Sequence, residues 1–241
     1  MWSDSGVPRV WLITGASRGI GEAVARRAAA AGDDVTVVAR SEAVELVANE
    51  IGALAVRADM ADESAIGRAV DHTVNRYGRI DVLVNNAGLH RGGRIEKLEL
   101  DTFRAVLEAD LVGPFELCRR AEPHMPDGGA IVNIGAVVGF RGFPGDSPYG
   151  SAKAGLAGLT AVLAIELARR RITANLVVPG VTDTEIIAGL DATARERIVE
   201  RVPLRRMASA DEIAAVVHWV AATPYMTGAV IPVDGGMLAQ L

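Results

Sequence analysis

This sequence has one cysteine, no run of basic residues and no long hydrophobic stretch. The lone cysteine, Cys118, excludes an internal disulfide framework and is typical of a reducing compartment, so we predict a cytoplasmic protein. Because Cys118 falls within a helical pattern, we interpret it as a buried structural thiol. The net charge of −5 argues against a nucleic-acid partner.

Signals for membrane association and for metal binding are also missing. The longest mostly apolar stretch, residues 154–168, is too short to span a bilayer, and the first six residues lack the apolar core of a signal peptide. We therefore expect no membrane partner. The four histidines are isolated from one another and from other metal ligands, so no metal site is predicted.

What the sequence does contain is a regular alternation of apolar runs and helical patterns. Half of the 241 residues are apolar, and no repeat or linker divides them, so one α/β domain over residues 1–241 is expected. Strands are predicted at 10–14, 35–39, 54–57, 82–85, 131–134, 173–178 and 230–233. Helices are predicted at 19–31, 43–51, 63–77, 102–120, 149–169 and 211–221, with Ser41, Asp62 and Asp101 as N-caps. Strands that are apolar on both faces and separated by helices predict a Rossmann-type, doubly wound parallel sheet of about seven strands.

The first predicted strand leads into a glycine-rich turn, Thr14-Gly15-Ala16-Ser17-Arg18-Gly19-Ile20-Gly21. A strand, a glycine-rich turn and a helix N-terminus together form a cradle for a dinucleotide diphosphate. Gly15 allows the sharp turn, Gly19 the approach of phosphate to backbone, and Gly21 the close packing of helix on strand.

Other informative residues follow the ends of later strands. Asn85–Gly88, Gly135-Ala136 and Pro179-Gly180 each come directly after a strand, and ligands bind at that edge of a parallel sheet. Residues 180–208 then interrupt the alternation, so we interpret them as a candidate lid over the substrate.

Tyr149 and Lys153 are four residues apart, on one face of a predicted helix. A phenol is a poor acid or base at neutral pH, because its pKa lies near 10. A nearby ammonium favours the phenolate and is expected to bring the pKa of Tyr149 toward the working range.

Together these motifs resemble the short-chain dehydrogenases/reductases, and most closely their 3-oxoacyl-acyl-carrier-protein reductase-like branch. The match extends over nearly the whole chain and includes Asp59, Asn175, Thr184 and Val233–Gly236 besides the motifs above. The resemblance implies a nicotinamide cofactor, with Tyr149 exchanging a proton with the substrate oxygen and Lys153 also holding the nicotinamide ribose. The cofactor contacts it implies are Gly15, Ser17, Arg18, Gly19, Ile20, Gly21, Arg40, Asp59, Met60, Asn86, Ala87, Gly88, Tyr149, Lys153, Pro179, Gly180, Thr182 and Thr184.

Charge at the end of the second strand bears on which nicotinamide cofactor is bound. Relatives that prefer NAD usually have an acidic residue there, whereas this chain has Ala39 followed by Arg40. A guanidinium binds a 2′-phosphate through charge-assisted hydrogen bonds, and Arg18 is a second cation near the same region. We therefore predict NADP(H).

Two catalytic positions depart from the family pattern. Ala136 stands where the catalytic serine is usual, and Asp110 stands where an asparagine is usual. Ser147 and Ser151 flank Tyr149, but neither is expected to replace the missing hydroxyl. Three interpretations follow: a natural carbonyl reductase with a reduced catalytic set; a reductase altered deliberately at position 136; or an NADP(H)-binding protein with a non-redox role, such as a cyclase, dehydratase, epimerase or sensor.

The sequence says less about the identity of the substrate than about that of the cofactor. A small carbonyl or alcohol compound is expected, with His90, Phe143, Ile186 and Ile187 as candidate pocket residues. Arg170 occupies a position where relatives bind an acidic carrier protein, but Asp127 stands where another cation is often found. With the acidic chain as a whole, this favours a free small ketone or a polyketide-like substrate. The resemblance also implies a homotetramer, or a homodimer, formed through the helices predicted at 102–120 and 149–169.

Overall fold

The computed structural model of this chain describes residues 7–184 and 191–239. Seven parallel strands form one sheet in the order β3-β2-β1-β4-β5-β6-β7. Their bounds are Val10–Thr14, Asp34–Ala39, Leu54–Arg57, Val82–Asn85, Ala130–Ile134, Thr173–Pro179 and Val230–Val233 for β1 to β7. The prediction of a doubly wound parallel sheet is confirmed, and no strand boundary differs from its predicted place by more than one residue.

Helices cover both faces of the sheet. Their bounds are Gly19–Ala30, Ala43–Ile51, Glu63–Tyr77, Leu100–Leu107, Gly113–Ala121, Ser147–Glu166, Ala192–Val199 and Ala210–Ala221 for α1 to α8. One buried apolar cluster joins α1, α2 and α8 to the sheet, and a second joins α3 and α5 to the opposite face. The strand order reverses between β1 and β4, which opens a crevice for a ligand at the carboxyl edge.

The helix predicted at 102–120 is present and extends from Leu100 to Ala121, but it is not α-helical throughout. A π-helical turn at Glu108–Val112 separates α4 from α5 and carries Asp110. Such turns insert one extra residue per turn and often occur at functional sites, where they redirect a side chain. At the start of α5, a Cβ on Gly113 would lie 2.1 Å from the carbonyl oxygen of Met60, so only glycine fits there.

Helix ends also differ from the predictions. Of the three predicted N-caps, Asp62 accepts a hydrogen bond from the Ser64 N–H. Glu42 and Glu99 occupy the cap positions where Ser41 and Asp101 were predicted. The helix predicted at 149–169 begins earlier, at Ser147.

A buried polar network connects the central strands to α6. The Asn85 amide donates to Asn133 Oδ1 at 2.8 Å, and Asn133 Nδ2 donates to Thr160 Oγ1 at 2.8 Å. Asn85 Nδ2 also lies 3.3 Å from Cys118 Sγ. Burial raises the pKa of the Cys118 thiol to about 12, so it stays protonated at neutral pH, as expected for a structural thiol.

Candidate active site

The glycine-rich turn between β1 and α1 has the geometry of a phosphate cradle. Gly15 has φ +66° and Gly19 has φ +58°, in the left-handed region that favours glycine. A Cβ on Gly21 would lie 2.4 Å from the carbonyl oxygen of Gly15. The first turn of α1 therefore packs directly on the loop and directs its unpaired N–H groups toward the crevice, which fits a diphosphate.

Thr14 and Asn86 connect this turn to the end of β4. The Thr14 hydroxyl accepts hydrogen bonds from the N–H groups of Asn86 and Ala87, both at 3.0 Å. The Asn86 amide donates to the carbonyl oxygens of Thr14 and Gly15, at 2.9 and 3.1 Å. Asn86 is a predicted cofactor contact, and its side chain also supports the turn.

Charged residues stand at the end of β2 and after β3. Ala39 is buried at the end of β2, and the Arg40 side chain that follows is 60% exposed. Arg40 Nη1 lies 3.6 Å from Asp59 Oδ2, so these two predicted cofactor contacts form an ion pair with each other. Arg18 is exposed at the start of α1. An exposed ion pair of this kind contributes at most about 1 kcal/mol, so Arg40 remains able to bind another anion.

Tyr149 and Lys153 lie together on α6, as their spacing predicts. The Lys153 ammonium is 5.4 Å from the centre of the Tyr149 ring. Its Nζ donates to the carbonyl oxygen of Ile134 at 3.1 Å, and its side chain is only 3% exposed. The lysine is therefore a buried, oriented cation beside the phenol.

Asp110 is the counter-ion of that lysine. Its Oδ2 lies 3.6 Å from Lys153 Nζ, an ion-pair distance longer than a hydrogen bond, and its Oδ1 accepts the Leu89 N–H at 2.6 Å. Oδ2 is buried without a hydrogen-bond partner among the described residues. Burial raises the pKa of Asp110, and Lys153 and the Leu89 N–H oppose that rise. Gly88 packs against the pair, since a Cβ there would lie 3.0 Å from Oδ2.

The pKa of Tyr149 differs in direction from our prediction. Burial raises it, Lys153 lowers it as expected, and the carboxylates of Asp110 and Asp146 raise it further. The sequence suggested the lysine but not the opposing effect of burial and of two carboxylates. The phenol is therefore held in its protonated form at neutral pH.

Ala136 begins the loop after β5, with extended backbone at φ −161°. A 3-10 turn, Val137–Gly139, follows, and a Cβ on Gly139 would lie 2.8 Å from the Ala154 nitrogen, so this loop packs tightly on α6. Position 136 thus precedes a segment held close to the helix that carries Tyr149. The nearby Ser147 hydroxyl is buried and has no hydrogen-bond partner within the described part of the chain.

The opposite side of the crevice is formed after β6. Gly180 is required there, because a Cβ would lie 2.6 Å from Asp234 Cα in the turn after β7. Thr182 is buried and forms a β-bridge with Ala208, which joins the two ends of the predicted lid segment. Helix α7 lies between these ends and was not predicted. Gly19 and Thr184 both line a cavity of about 430 Å³, whose other lining residues include the carboxylates of Glu22, Asp183 and Asp211.

Some predicted residues have positions that favour packing over ligand contact. Met60 is buried in the core, Ile20 packs against the cluster beneath α1, and Phe143 packs against the cluster around Val137. Ile186 and Ile187 lie outside the described residues.

His90, by contrast, lies beside Tyr149. Its ring contacts the Tyr149 ring edge-on, with centroids 4.9 Å apart, and its Nε2 lies 3.1 Å from Asp146 Oδ1. Sequence reasoning missed Asp146, whose place before a helix is ordinary for a capping aspartate.

Comparison with known proteins identifies the family of this chain. A family model described as enoyl-(acyl carrier protein) reductase matches residues 15–238. A 3-oxoacyl-[acyl-carrier-protein] reductase from Synechocystis is 38% identical, covering 95% of this chain and 97% of the relative. Carbonyl reductase family member 4 from Xenopus tropicalis is also 38% identical, covering 97% and 99%. The chain belongs to the short-chain dehydrogenase/reductase family. It is an oxidoreductase of that family, whose members bind a nicotinamide cofactor.

Solved structures of short-chain dehydrogenases/reductases superimpose closely on this one. An enzyme of this family from Serratia marcescens matches with a TM-score of 0.91 at 36% identity, covering 95% of this chain and 98% of that one. A blue fluorescent protein from a metagenomic library, solved in complex with NADPH, has a TM-score of 0.91 at 35% identity and covers 95% and 97%.

Residues 7–184 and 191–239 contain neither a membrane-spanning helix nor a cluster of metal-ligating side chains. No helix in these ranges is both long and apolar enough to cross a membrane. No three side chains of the metal-binding types come together there as a potential ion site.

Proposed function

We propose that this protein is an NADPH-dependent reductase of small ketones, with Tyr149 as the proton donor. The observation that carries the proposal is the pair on α6: a phenol beside a buried ammonium that is 3% exposed and oriented by the Ile134 carbonyl oxygen and by Asp110. This pair lies at the carboxyl edge of the sheet, on the same edge as the glycine-rich cradle.

In this reaction Tyr149 donates its hydroxyl proton to the substrate oxygen. The bound reduced cofactor supplies the hydride that reaches the carbonyl carbon. Lys153 then stabilises the phenolate that remains, because its buried ammonium lies 5.4 Å from the ring centre. Asp110 and the Ile134 carbonyl hold Lys153 in that position.

The pKa of Tyr149 favours the direction of reduction. Because burial and two carboxylates raise that pKa, the phenol is protonated at neutral pH and ready to act as an acid. An alkoxide is far more basic than a phenolate, so proton transfer to the product oxygen stays downhill. Alcohol oxidation would need the phenolate, which this site disfavours.

The preference for NADP(H) rests on Arg40 and Arg18. Both are exposed near the end of β2 and the start of α1, and Ala39 places no carboxylate where the adenosine ribose is expected. The similarity to a protein solved with NADPH is consistent with that choice.

Arg170 bears on the substrate class. Its guanidinium pairs with Glu122 and Asp127, and it donates to the carbonyl oxygens of Glu122 and Met125. A cation neutralised in this way attracts an acidic carrier protein weakly. A free small ketone is therefore the substrate class we propose, although the relatives include reductases named for the acyl carrier protein.

The first test is oxidation of NADPH, followed by absorbance, with a panel of small ketones and with a carrier-bound 3-oxoacyl substrate. The sharper test is Ala136→Ser. A preorganised donor of this kind typically contributes about 10²–10³-fold in rate, so kcat should rise by that factor if the rest of the machinery is intact. Absence of turnover in both forms, despite tight NADPH binding, would reject the reductase proposal.

That last outcome would favour a second candidate, a non-redox NADP(H)-binding protein. Ala136 supplies no side-chain donor, and the raised pKa of Tyr149 leaves little phenolate to act as a base at neutral pH. A cyclase, dehydratase, epimerase or sensor would use the same cradle. Product analysis by mass spectrometry, showing conversion without loss of NADPH, would distinguish such an enzyme from a reductase.

We also infer self-association through α6 and its neighbours. Exposed apolar side chains occur on α6 at Val162 and Ile165, in the π-helical turn at Val112 and on α5 at Phe115. Gly158 has open space around it, whereas Gly155 packs internally on Leu111. A homotetramer or a homodimer would bury these exposed side chains. Light scattering would measure the mass of the assembly. The cytoplasm stays our predicted compartment.

A further inference from the structure

The loop after β4 is joined to the loop before α6. The Gly93 N–H donates to the Gly145 carbonyl oxygen at 2.8 Å, and a Cβ on Gly92 would lie 2.1 Å from the same oxygen. Only glycine at position 92 permits this approach, because any side chain would overlap the carbonyl group. The two loops are thereby held against each other, and the contact brings His90 close to Asp146.

Asp146 stands at the N-cap position of α6 but does not cap the helix with its side chain. An aspartate at such a position commonly accepts a hydrogen bond from the first-turn N–H groups. The Asp146 side chain accepts none of these, and its Oδ1 lies 3.1 Å from His90 Nε2. This is a hydrogen-bond distance between an imidazole nitrogen and a carboxylate oxygen, so Asp146 fixes the direction of the His90 ring.

The ring that Asp146 holds is in contact with the Tyr149 ring. The two planes meet at 87° with centroids 4.9 Å apart, which is the T-shaped arrangement that aromatic pairs prefer. The Lys153 ammonium, 5.4 Å from the centre of the tyrosine ring, belongs to the same helix as Tyr149. Ala136, after β5, offers no side-chain donor to the phenol. His90 therefore supplies a restraint on the tyrosine ring that comes from outside α6.

We propose that His90, held by Asp146, is a positioning residue that fixes the tilt of the Tyr149 ring for proton donation. The sequence made His90 a candidate substrate contact, and the structure places its ring against the tyrosine instead. A displacement of about 1 Å at a reacting group can cost about 100-fold in rate, so the tilt of this ring bears directly on kcat. This inference rests on the proposed reductase function.

The first test separates a positioning residue from one that contacts the substrate. At saturating NADPH, His90→Ala should lower kcat by about 100-fold, by the same factor for ketones of different sizes, with KM and NADPH affinity unchanged. His90→Phe keeps an aromatic ring at this position and should recover about 10-fold of that loss. His72→Ala, at an exposed histidine on α3, is the matched control. Unchanged kcat in His90→Ala, or a loss that falls on KM and varies with the ketone, would overturn the inference.

The second test asks whether Asp146 acts through His90. Asp146→Ala should lower kcat by about 10-fold, the factor that corresponds to one hydrogen bond, whereas Asp146→Asn keeps an acceptor oxygen and should retain most of the rate. Both variants lose the negative charge, so their comparison isolates the hydrogen bond. The double variant Asp146→Ala/His90→Ala should be no slower than His90→Ala, because both changes remove one restraint. Additive losses in the double variant would contradict the proposal.

A third measurement does not depend on turnover. The chain has three tyrosines, so ring-labelled tyrosine gives a simple NMR spectrum in which Tyr149→Phe identifies the Tyr149 signal. Asp146→Ala should shift that signal as His90→Ala does, and Asp146→Asn should leave it near its wild-type position. A Tyr149 signal that moves in neither alanine variant would refute the positioning role. If the wild type reduces no ketone, the reductase proposal fails separately, and this spectrum still decides whether His90 and Asp146 fix the ring.

Discussion

The glycine-rich cradle and the catalytic cluster lie on the same edge of the sheet but are built differently. The cradle is made of backbone: Gly15 and Gly21 approach within distances that no side chain permits, and Asn86 closes the turn with amide hydrogen bonds. The catalytic cluster is made of charged side chains, with a lysine and an aspartate both nearly inaccessible to solvent. Backbone geometry admits few substitutions. A cluster of side chains tolerates exchange of its members more readily, and Ala136 and Asp110 are the positions where we predict such exchanges.

Because the two regions are built differently, we expect substitutions in each region to impair a different property of the enzyme. Changes in the cradle should alter cofactor affinity and leave the chemical step intact. Changes in the cluster should alter rate and pH dependence while the cofactor still binds.

Tyr149→Phe should give the largest effect. Removal of the proton donor is expected to lower kcat by about 10⁴-fold, the upper end for general acid catalysis. NADPH affinity, measured by fluorescence titration, should change little. Tyr225→Phe, at a fully exposed tyrosine, is the matched control. If Tyr149→Phe keeps substantial activity, the assigned proton donor is wrong.

Gly21→Ala should be the most damaging change in the cradle. The new Cβ would lie 2.4 Å from the Gly15 carbonyl oxygen, and overpacking of this kind typically costs about 1–3 kcal/mol, so NADPH should bind up to about 100-fold more weakly. Gly142→Ala, where the space is open, is the control. Equal affinity in the two variants would contradict the cradle geometry.

Arg40→Asp should reverse the choice of cofactor. Loss of a charge-assisted hydrogen bond, worth about 1.5–3 kcal/mol, should weaken NADPH binding by roughly 10- to 100-fold while NADH binding is maintained. Arg104→Asp, at an exposed arginine on α4, should leave the ratio of the two affinities unchanged. An unaltered ratio in Arg40→Asp would show that another group recognises the 2′-phosphate.

Asp110→Asn should give the smallest change in rate and a distinct change in pH dependence. The Asp110 carboxylate raises the pKa of Tyr149, so its removal should lower that pKa. Alcohol oxidation needs the phenolate as base, and its rate should therefore rise at lower pH in the variant than in the wild type. The full pH profile with NADP⁺ measures this shift, and a profile that moves to higher pH would contradict it.

The sequence predicted the strands and the glycine-rich turn better than the charged cluster, and the reason is physical. Strand positions and the glycine-rich turn are local properties: apolar runs, glycines and helix starts appear within a few residues of one another. The pairing of Tyr149 with Lys153 is local as well, because four residues bring two side chains to one helix face. The π-helical turn at Glu108–Val112 left no comparable signal in the sequence, since the apolar pattern of the helix continues through it.

Sequence alone determined the fold, the cradle and the phenol–ammonium pair, since each depends on neighbours along the chain. Tertiary structure decided the balance of charge around Tyr149. Asp110 arrives from a different helix, His90 from the loop after β4, and burial depends on the packing of the whole sheet. The pKa of a side chain depends on distances through space, and those distances exist only once the chain has folded.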